Sequence, residues 1–257
     1  MKKEIKTFLT AVMFFTRIPC PKNLDYSQGV LNDSSRYYPA MGWIVGGFSG
    51  LVFTATHLIF SVPVSIFLSM IAGILLTGAF HEDGFADVCD GLGGGWDKKQ
   101  ALNIMKDSRI GTYGTIGLVA ILSIKFLALS EIDPRFIPMV LVTGHSLSRF
   151  ISSLFRFMYP YVRENDDSKV KPMAKELSLK NFFISSIFGL LPLALLRSVC
   201  GLFLVIPVLI AQLIFAQYVV KRIGGYTGDC LGAAQQLCEI VFYLSFVLYA
   251  GIAPLSL

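Results

Sequence analysis

Seven apolar runs, most of them close to bilayer length, dominate this chain. A membrane-spanning helix requires about 20 predominantly apolar residues. Only 15% of the 257 residues are charged and the mean hydropathy is +0.64, which favours an integral membrane protein over a soluble domain. The sequence therefore predicts an all-α fold, a polytopic transmembrane helical bundle with about seven spans. The runs occupy roughly Tyr38–Phe60, Val62–Phe80, Ile110–Leu129, Phe136–Met158, Phe182–Leu196, Val199–Val220 and Cys238–Leu257.

The distribution of basic residues predicts the orientation of this bundle. With a cytoplasmic N-terminus, 18 of the 22 Lys and Arg residues fall on the cytoplasmic side, and only Arg135 and Arg197 lie on outer turns. This asymmetry follows the positive-inside rule, so the N-terminus is predicted to be cytoplasmic. The predicted orientation accounts for the excess of basic over acidic residues, and no nucleic-acid partner is implied. We expect one membrane domain, 1–257, with an interfacial N-terminal arm at 1–36 and cytoplasmic loops at about 81–109, 159–181 and 221–237.

The highest density of acidic residues lies directly after the second apolar run, where Glu82, Asp83, Asp87 and Asp90 fall within nine residues. On a continuous helix Asp83, Asp87 and Asp90 share one face, while Glu82 points about 100° away from Asp83 and His81 about 160° away. Like charges on one face repel, which makes sense if a divalent cation lies among them. Hard oxygen ligands suit Mg²⁺ or Mn²⁺ better than zinc. The alternative is a solvated acidic loop.

Three further polar features adjoin the apolar runs. Gly93 and Gly94 follow the acids, and glycine lets backbone N–H groups approach a phosphate closely. Lys106 and Arg109 precede the third run and are candidate ligands of phosphate oxygens, or ordinary membrane-surface anchors. Asp229 lies among glycines before the last run. The predicted topology places all of these blocks on one face of the membrane, where they are expected to converge.

Two features lie within the runs themselves. Glycines at positions 42, 46, 47 and 50 of the first run permit close helix packing, as small residues do in membranes. Arg149, in the fourth run, is costly to place in a membrane. It is expected to pair with an acid, and His145 lies one turn earlier.

The acidic motif resembles known membrane enzymes. Asp87-x-x-Asp90-Gly91 resembles the opening of the CDP-alcohol phosphotransferase signature, but no Ala-Arg follows at the expected place. A closer similarity, running from near residue 8 to near residue 250, is to the cobalamin synthase (adenosylcobinamide-GDP ribazoletransferase) family. The blocks that carry it are 81–95, 106–114 and 224–232, together with Phe14-Phe15-Thr16-Arg17-Ile18-Pro19 and Arg36-Tyr37-Tyr38-Pro39.

This resemblance implies a late step of vitamin B12 assembly at the cytoplasmic membrane of a prokaryote. In that family adenosylcobinamide-GDP reacts with α-ribazole or its 5′-phosphate, giving adenosylcobalamin or its phosphate plus GMP, and magnesium is required. The partners implied are these small molecules, the lipid bilayer and other membrane enzymes of the pathway. A homo-oligomer is a further possible assembly.

The same resemblance suggests roles for the residues of the three blocks. Mg²⁺ would be held by Asp83, Asp87 and Asp90, with Glu82 as a further candidate. Lys106 and Arg109 would hold phosphate oxygens, and Asp229 would complete the metal site or bind a ribose hydroxyl. The general base would be a carboxylate such as Asp87 or Asp90, or His81. His81 would reach the metal site only if the helix breaks near Gly84.

Three other classes of protein stay open at this point. A cation transporter would place its acids near the membrane midplane on broken spans, whereas these acids follow the end of an apolar run. A lipid phosphotransferase shares the chemistry and would differ by consuming CDP-diacylglycerol. A structural membrane subunit would leave four carboxylates in nine residues without a reason.

Overall fold

The structure is a computed structural model that describes residues 2–21, 23–25, 27–163, 177–196 and 199–252. Twelve α-helices account for most of these described residues, and short 3₁₀ turns at Ser35–Tyr37, Leu191–Leu196 and Val199–Leu204 join or extend them. The helices are α1 (Lys2–Phe15), α2 (Gln28–Ser34), α3 (Tyr38–His57), α4 (Val62–Thr77), α5 (Phe80–Gly94), α6 (Lys98–Ile104), α7 (Thr112–Ser130), α8 (Ile137–Ser152), α9 (Leu154–Met158), α10 (Leu179–Leu190), α11 (Val205–Ile223) and α12 (Gly228–Ile252).

The predicted all-α membrane bundle is confirmed, since helices cover every apolar run in the described residues. The segments 112–130, 179–196, 201–223 and 228–251 are long and apolar enough to cross a membrane. A fifth span results if α4 and α5, which meet at a bend, are counted as one. The count of seven spans and the cytoplasmic N-terminus stay predictions. The last helix begins at Gly228, ten residues before the predicted start at Cys238, so 228–237 is helical.

Glycines bring α3 and α8 into close contact at the centre of the bundle. A Cβ atom on Gly42 would lie 2.5 Å from the carbonyl oxygen of His145, and one on Gly46 would lie 2.6 Å from that of Leu141. Gly50 meets Pro138 at 3.1 Å, whereas Gly47 faces open space. The predicted packing role is therefore confirmed for three of the four glycines.

A Gly46→Ala substitution is expected to destabilise the bundle by about 1–3 kcal/mol, because the added methyl group would push α3 away from the α8 backbone. Gly47→Ala is the matched control, since nothing lies within 4 Å of its Cβ position. Both changes carry the same helix-propensity gain. Thermal unfolding of the two variants in one detergent checks this, and equal midpoints would contradict the packing argument.

The N-terminal arm packs against the start of α3. Val12 and Phe15 of α1 are buried in a small apolar cluster with Tyr38 and Met41, while Ile5 is exposed. The arm therefore reaches the same end of the bundle as the start of α5, where Phe15 and Phe80 meet edge to face.

Candidate active site

A sharp bend between α4 and α5 positions the acidic segment. Gly78 and Ala79 both adopt the left-handed backbone conformation, with φ angles of 68° and 59°, and the two helix axes differ by 88°. Position 78 is crowded as well, because a Cβ there would lie 2.2 Å from Nε of Arg17. The second predicted span therefore ends at Thr77 instead of Phe80.

Helix α5 runs across the ends of three other helices. A Cβ on Gly84 would lie 3.0 Å from the backbone of Asp229, in the first turn of α12. Gly111 lies against Asp90 at the start of α7, and Arg222 at the end of α11 donates a hydrogen bond of 2.6 Å to the carbonyl of Gly95. The predicted convergence of the three polar blocks is therefore observed.

Asp83, Asp87 and Asp229 form the solvent-facing part of this convergence, which we call the carboxylate cluster. Asp83 is exposed, while Asp87 and Asp229 are half-buried. Burial, and then the negative charges of Asp229 and Asp83, raise the pKa of the Asp87 carboxyl to about 7. The basic residues around the cluster therefore do not fully neutralise the negative charge of its three carboxylates.

Asp90 has a different partner from the one predicted. Its carboxylate is buried and accepts hydrogen bonds from the backbone N–H groups of Gly111 (2.7 Å) and Gly114 (2.8 Å). These N–H groups lie at the start of α7, where helical partners are lacking. This contact speaks against the predicted roles of Asp90 as a metal ligand and a proton acceptor, because both carboxylate oxygens hold the end of a helix.

An Asp90→Asn variant separates these two roles. Asparagine keeps one of the two accepting oxygens but places an NH2 group against the other N–H donor, so activity is expected to survive with a partial loss of stability. Asp90→Ala should lower the free energy of unfolding by about 1–2 kcal/mol through loss of the cap. Rates and melting midpoints of both variants check this. A complete loss of turnover in Asp90→Asn with unchanged stability would instead support the predicted role of Asp90 as a metal ligand.

Glu82 and His81 lie on the opposite, buried side of α5. The helix continues unbroken through Gly84, so His81 stays turned away from the carboxylate cluster, and its Nε2 lies 3.0 Å from the hydroxyl of Tyr38. Glu82 accepts a hydrogen bond of 3.0 Å from Nε2 of Gln236 in α12. The predicted roles of His81 as a base and Glu82 as a metal ligand therefore do not fit their positions.

Behind Glu82 lies a buried polar network that links α7, α8 and α12. Glu239 lies 3.0 Å from Nζ of Lys125 and 3.2 Å from Nδ1 of His145. Arg149 donates to the carbonyl oxygen of His145 at 2.9 Å, and no acid of the described residues lies within ion-pair distance of it. The predicted partner acid exists in Glu239, but it pairs with Lys125 and His145. The adjoining cavity of about 20 Å³ has room for water and not for a nucleotide.

The residues predicted to hold phosphate are placed less favourably. Gly93 and Gly94 belong to α5, so their N–H groups lie within a helix, and a Cβ on Gly93 would lie 2.7 Å from the ring of Tyr113. Lys106 is exposed. Arg109 is 86% exposed and pairs with Asp107 at 2.6 Å, which lowers the pKa of Asp107 to about 2.

Arg163 is a cation that contacts the carboxylate cluster, and it is not among the site residues predicted from the sequence. Its Nη2 donates to Oδ2 of Asp229 at 2.7 Å and to the carbonyl oxygen of Met105 at 3.2 Å. Sequence offered no local signal for it, because it was one of many basic residues in a loop. What distinguishes it is the contact of residues 160–163 with the chain at Tyr226 and Asp229, at the start of α12.

The donor set of the carboxylate cluster suits a hard divalent cation. In the described ranges, no three His, Cys, Asp or Glu side chains are gathered closely enough to hold a metal ion by themselves. Mg²⁺ does not need such a cage, since it commonly binds through one or two carboxylates, waters and phosphates of the substrate. Asp83 and Asp87, four residues apart on one helix face, satisfy that requirement.

These features define a multi-pass α-helical membrane protein with a polar, carboxylate-bearing site at one end of its bundle. The comparison with family models makes this class specific. Residues 7–247 match the model of cobalamin-5-phosphate synthase, so the chain belongs to the cobalamin-5-phosphate synthase family.

Curated relatives match along nearly the whole chain. A protein of Shewanella pealeana is 44% identical over 246 residues, covering 95% of each chain. One from Shewanella amazonensis is 43% identical over 251 residues, covering 96% of each, and one from Vibrio cholerae is 42% identical over 245 residues, covering 95% of this chain and 94% of its own. All three are named adenosylcobinamide-GDP ribazoletransferase. No solved structure matches the chain.

Proposed function

We propose that this protein is an adenosylcobinamide-GDP ribazoletransferase that joins adenosylcobinamide-GDP to α-ribazole, or to its 5′-phosphate, and releases GMP. Family membership and relatives of that name at 41–44% identity carry the proposal. The carboxylate cluster supports it, because its exposed member Asp83 opens the site to solvent at one end of the bundle, and both substrates are polar and enter from water. The concentration of basic residues at that end favours the cytoplasmic side of a prokaryotic membrane.

The reaction requires positioning and charge neutralisation. A hydroxyl of the ribazole attacks the phosphorus that bears the corrinoid, the bond from that phosphorus to the bridging oxygen breaks, and GMP leaves with that oxygen. The proton of the attacking hydroxyl passes to a carboxylate, for which the cluster is suitably exposed and His81 is not.

We assign Mg²⁺ to Asp83 and Asp87. When bound, the cation supplies charge neutralisation on the pyrophosphate oxygens and on the leaving phosphate. The raised pKa of Asp87 supports this assignment, since it reflects burial and neighbouring acids that a cation would offset. The first turns of α5 and α12 also meet here, and helix N-termini favour bound phosphate.

The test is GMP release by membranes that contain the protein, given adenosylcobinamide-GDP, α-ribazole and Mg²⁺. Release that requires all three additions is the expected result. Replacement of α-ribazole by its 5′-phosphate shows which of the two is preferred. If well-folded protein releases no GMP yet consumes labelled CDP-diacylglycerol, the site belongs to a lipid phosphotransferase.

A further inference from the structure

The chain just before Arg163 is fixed to the loop that precedes α12. The N–H of Tyr226 donates to the carbonyl oxygen of Pro160, and the N–H of Val162 donates to that of Tyr226, both at 3.0 Å. This short parallel bridge requires glycine at position 225, because a Cβ there would lie 2.3 Å from the oxygen of Pro160. Arg163 therefore leaves the bridge at a defined position beside the first turn of α12.

The guanidinium of Arg163 is held at one nitrogen and keeps another unsatisfied. Nη2 makes both recorded bonds, to Asp229 and to the carbonyl of Met105. Nε is buried and has no acceptor among the residues that the structure describes. A buried donor without an acceptor is costly, and an anionic oxygen is the partner that would stabilise it most.

The negative charge of the carboxylate cluster makes Arg163 better placed to bind a phosphate than the other basic residues nearby. The carboxylates of Asp83, Asp87 and Asp229 repel a phosphate unless cations lie among them. Arg163 is 20% exposed and contacts the cluster, whereas Arg109 is 86% exposed and already paired with Asp107. A guanidinium also binds phosphate oxygens through paired, charge-assisted hydrogen bonds that lysine cannot reproduce.

We propose that Arg163, oriented by Asp229, binds phosphate oxygens of the diphosphate in the nucleotide-linked substrate, in place of Lys106 and Arg109. This assignment rests on the proposed function, since it names the residue that meets the pyrophosphate in that reaction. Asp229 then acts as a positioning residue, because it holds the guanidinium through Nη2, while Nη1 makes no hydrogen bond within the described part of the chain and is left for the substrate.

Arg163→Gln and Arg163→Lys are the variants that test this assignment, with initial rates of GMP release measured against each substrate separately. Arg163→Gln is expected to raise the KM for adenosylcobinamide-GDP by about 10- to 100-fold, the usual effect of losing a charged hydrogen bond. The KM for α-ribazole should stay unchanged. Arg163→Lys should restore part of the loss. Arg135→Gln is the control, since Arg135 pairs with Asp133 on an exposed turn at the other end of the bundle.

Two results would overturn the assignment. One is an unchanged KM for adenosylcobinamide-GDP in Arg163→Gln. The other is an equal rise of both KM values together with a lower melting midpoint, which would make the pair with Asp229 purely structural. If the wild-type protein releases no GMP, the proposed function fails first. Binding of inorganic pyrophosphate with Mg²⁺, measured by calorimetry, then decides on Arg163 by itself: weaker binding to Arg163→Gln supports the site, and equal binding overturns it.

Discussion

Replacing Asp87 by asparagine is expected to reduce the rate of GMP release by about a thousand-fold, because the substitution removes a negative ligand from the magnesium site that we assign. The same change should leave the fold intact. Asp87 makes no hydrogen bond within the described part of the chain, and its folded-state pKa of about 7 shows that its ionised form is disfavoured there. Folding therefore loses stability as pH rises from about 4 towards 7 through this group, and asparagine removes that loss.

Activity and stability are thus expected to change in opposite directions at Asp87. Rates measured over a range of Mg²⁺ concentrations, together with melting midpoints at pH 7, check both. Asp83→Asn should mainly increase the Mg²⁺ concentration needed for half-maximal rate, since Asp83 is more exposed. Asp133→Asn, on the turn between α7 and α8, is the control. A near-normal rate in Asp87→Asn would contradict the metal assignment.

The helical period of the acidic segment was predictable, but the neighbours of each acid were not. Spacing alone places Asp83, Asp87 and Asp90 on one face of a helix, and the structure shows that helix. Asp90 nevertheless lies against the start of α7, while Asp83 and Asp87 remain open. Periodicity defines a direction around one helix axis, whereas the partner found in that direction depends on how the other helices pack.

The bend at Gly78 and Ala79 shows a similar limit. A run of apolar residues predicts that a helix forms, and the second run does form one. Where that helix stops depends on two residues in the left-handed conformation and on Arg17, which lies 61 positions before Gly78 in the sequence. A new helix, α5, begins after this bend and continues unbroken through Gly84. His81 and Asp83 therefore lie on opposite sides of α5.

Glu239 is the residue for which the sequence did contain a usable signal. A carboxylate inside an apolar helix requires a partner, and Lys125 and Arg149 are basic residues within other apolar runs. The structure pairs Glu239 with Lys125, and Gln236, one turn before it, joins Lys125 (2.9 Å) to Glu82 (3.0 Å). The network therefore connects the core of the bundle to the buried side of the helix that carries the carboxylate cluster.

Breaking this buried ion pair is expected to have the largest effect on stability. Glu239→Gln should lower the free energy of unfolding by about 3–5 kcal/mol, because it leaves the charge of Lys125 uncompensated inside the bundle. Lys125→Met should cost a similar amount by isolating Glu239. The double variant removes both charges, so it should be clearly more stable than either single variant.

Thermal unfolding in one detergent measures all three variants, with the exposed pair Asp133–Arg135 (2.8 Å) as a comparison expected to contribute about 0–1 kcal/mol. Strictly additive losses in the double variant would mean that Lys125 and Glu239 do not stabilise each other. The single variants should also lose activity, because Lys125 donates to Gln236, which in turn donates to Glu82, and each change either removes Lys125 or leaves it without its ion-pair partner. The double variant distinguishes two roles of the network. If the network only supports the bundle, stability and turnover should recover together. If stability recovers without turnover, the position of α5 depends on the ion pair itself.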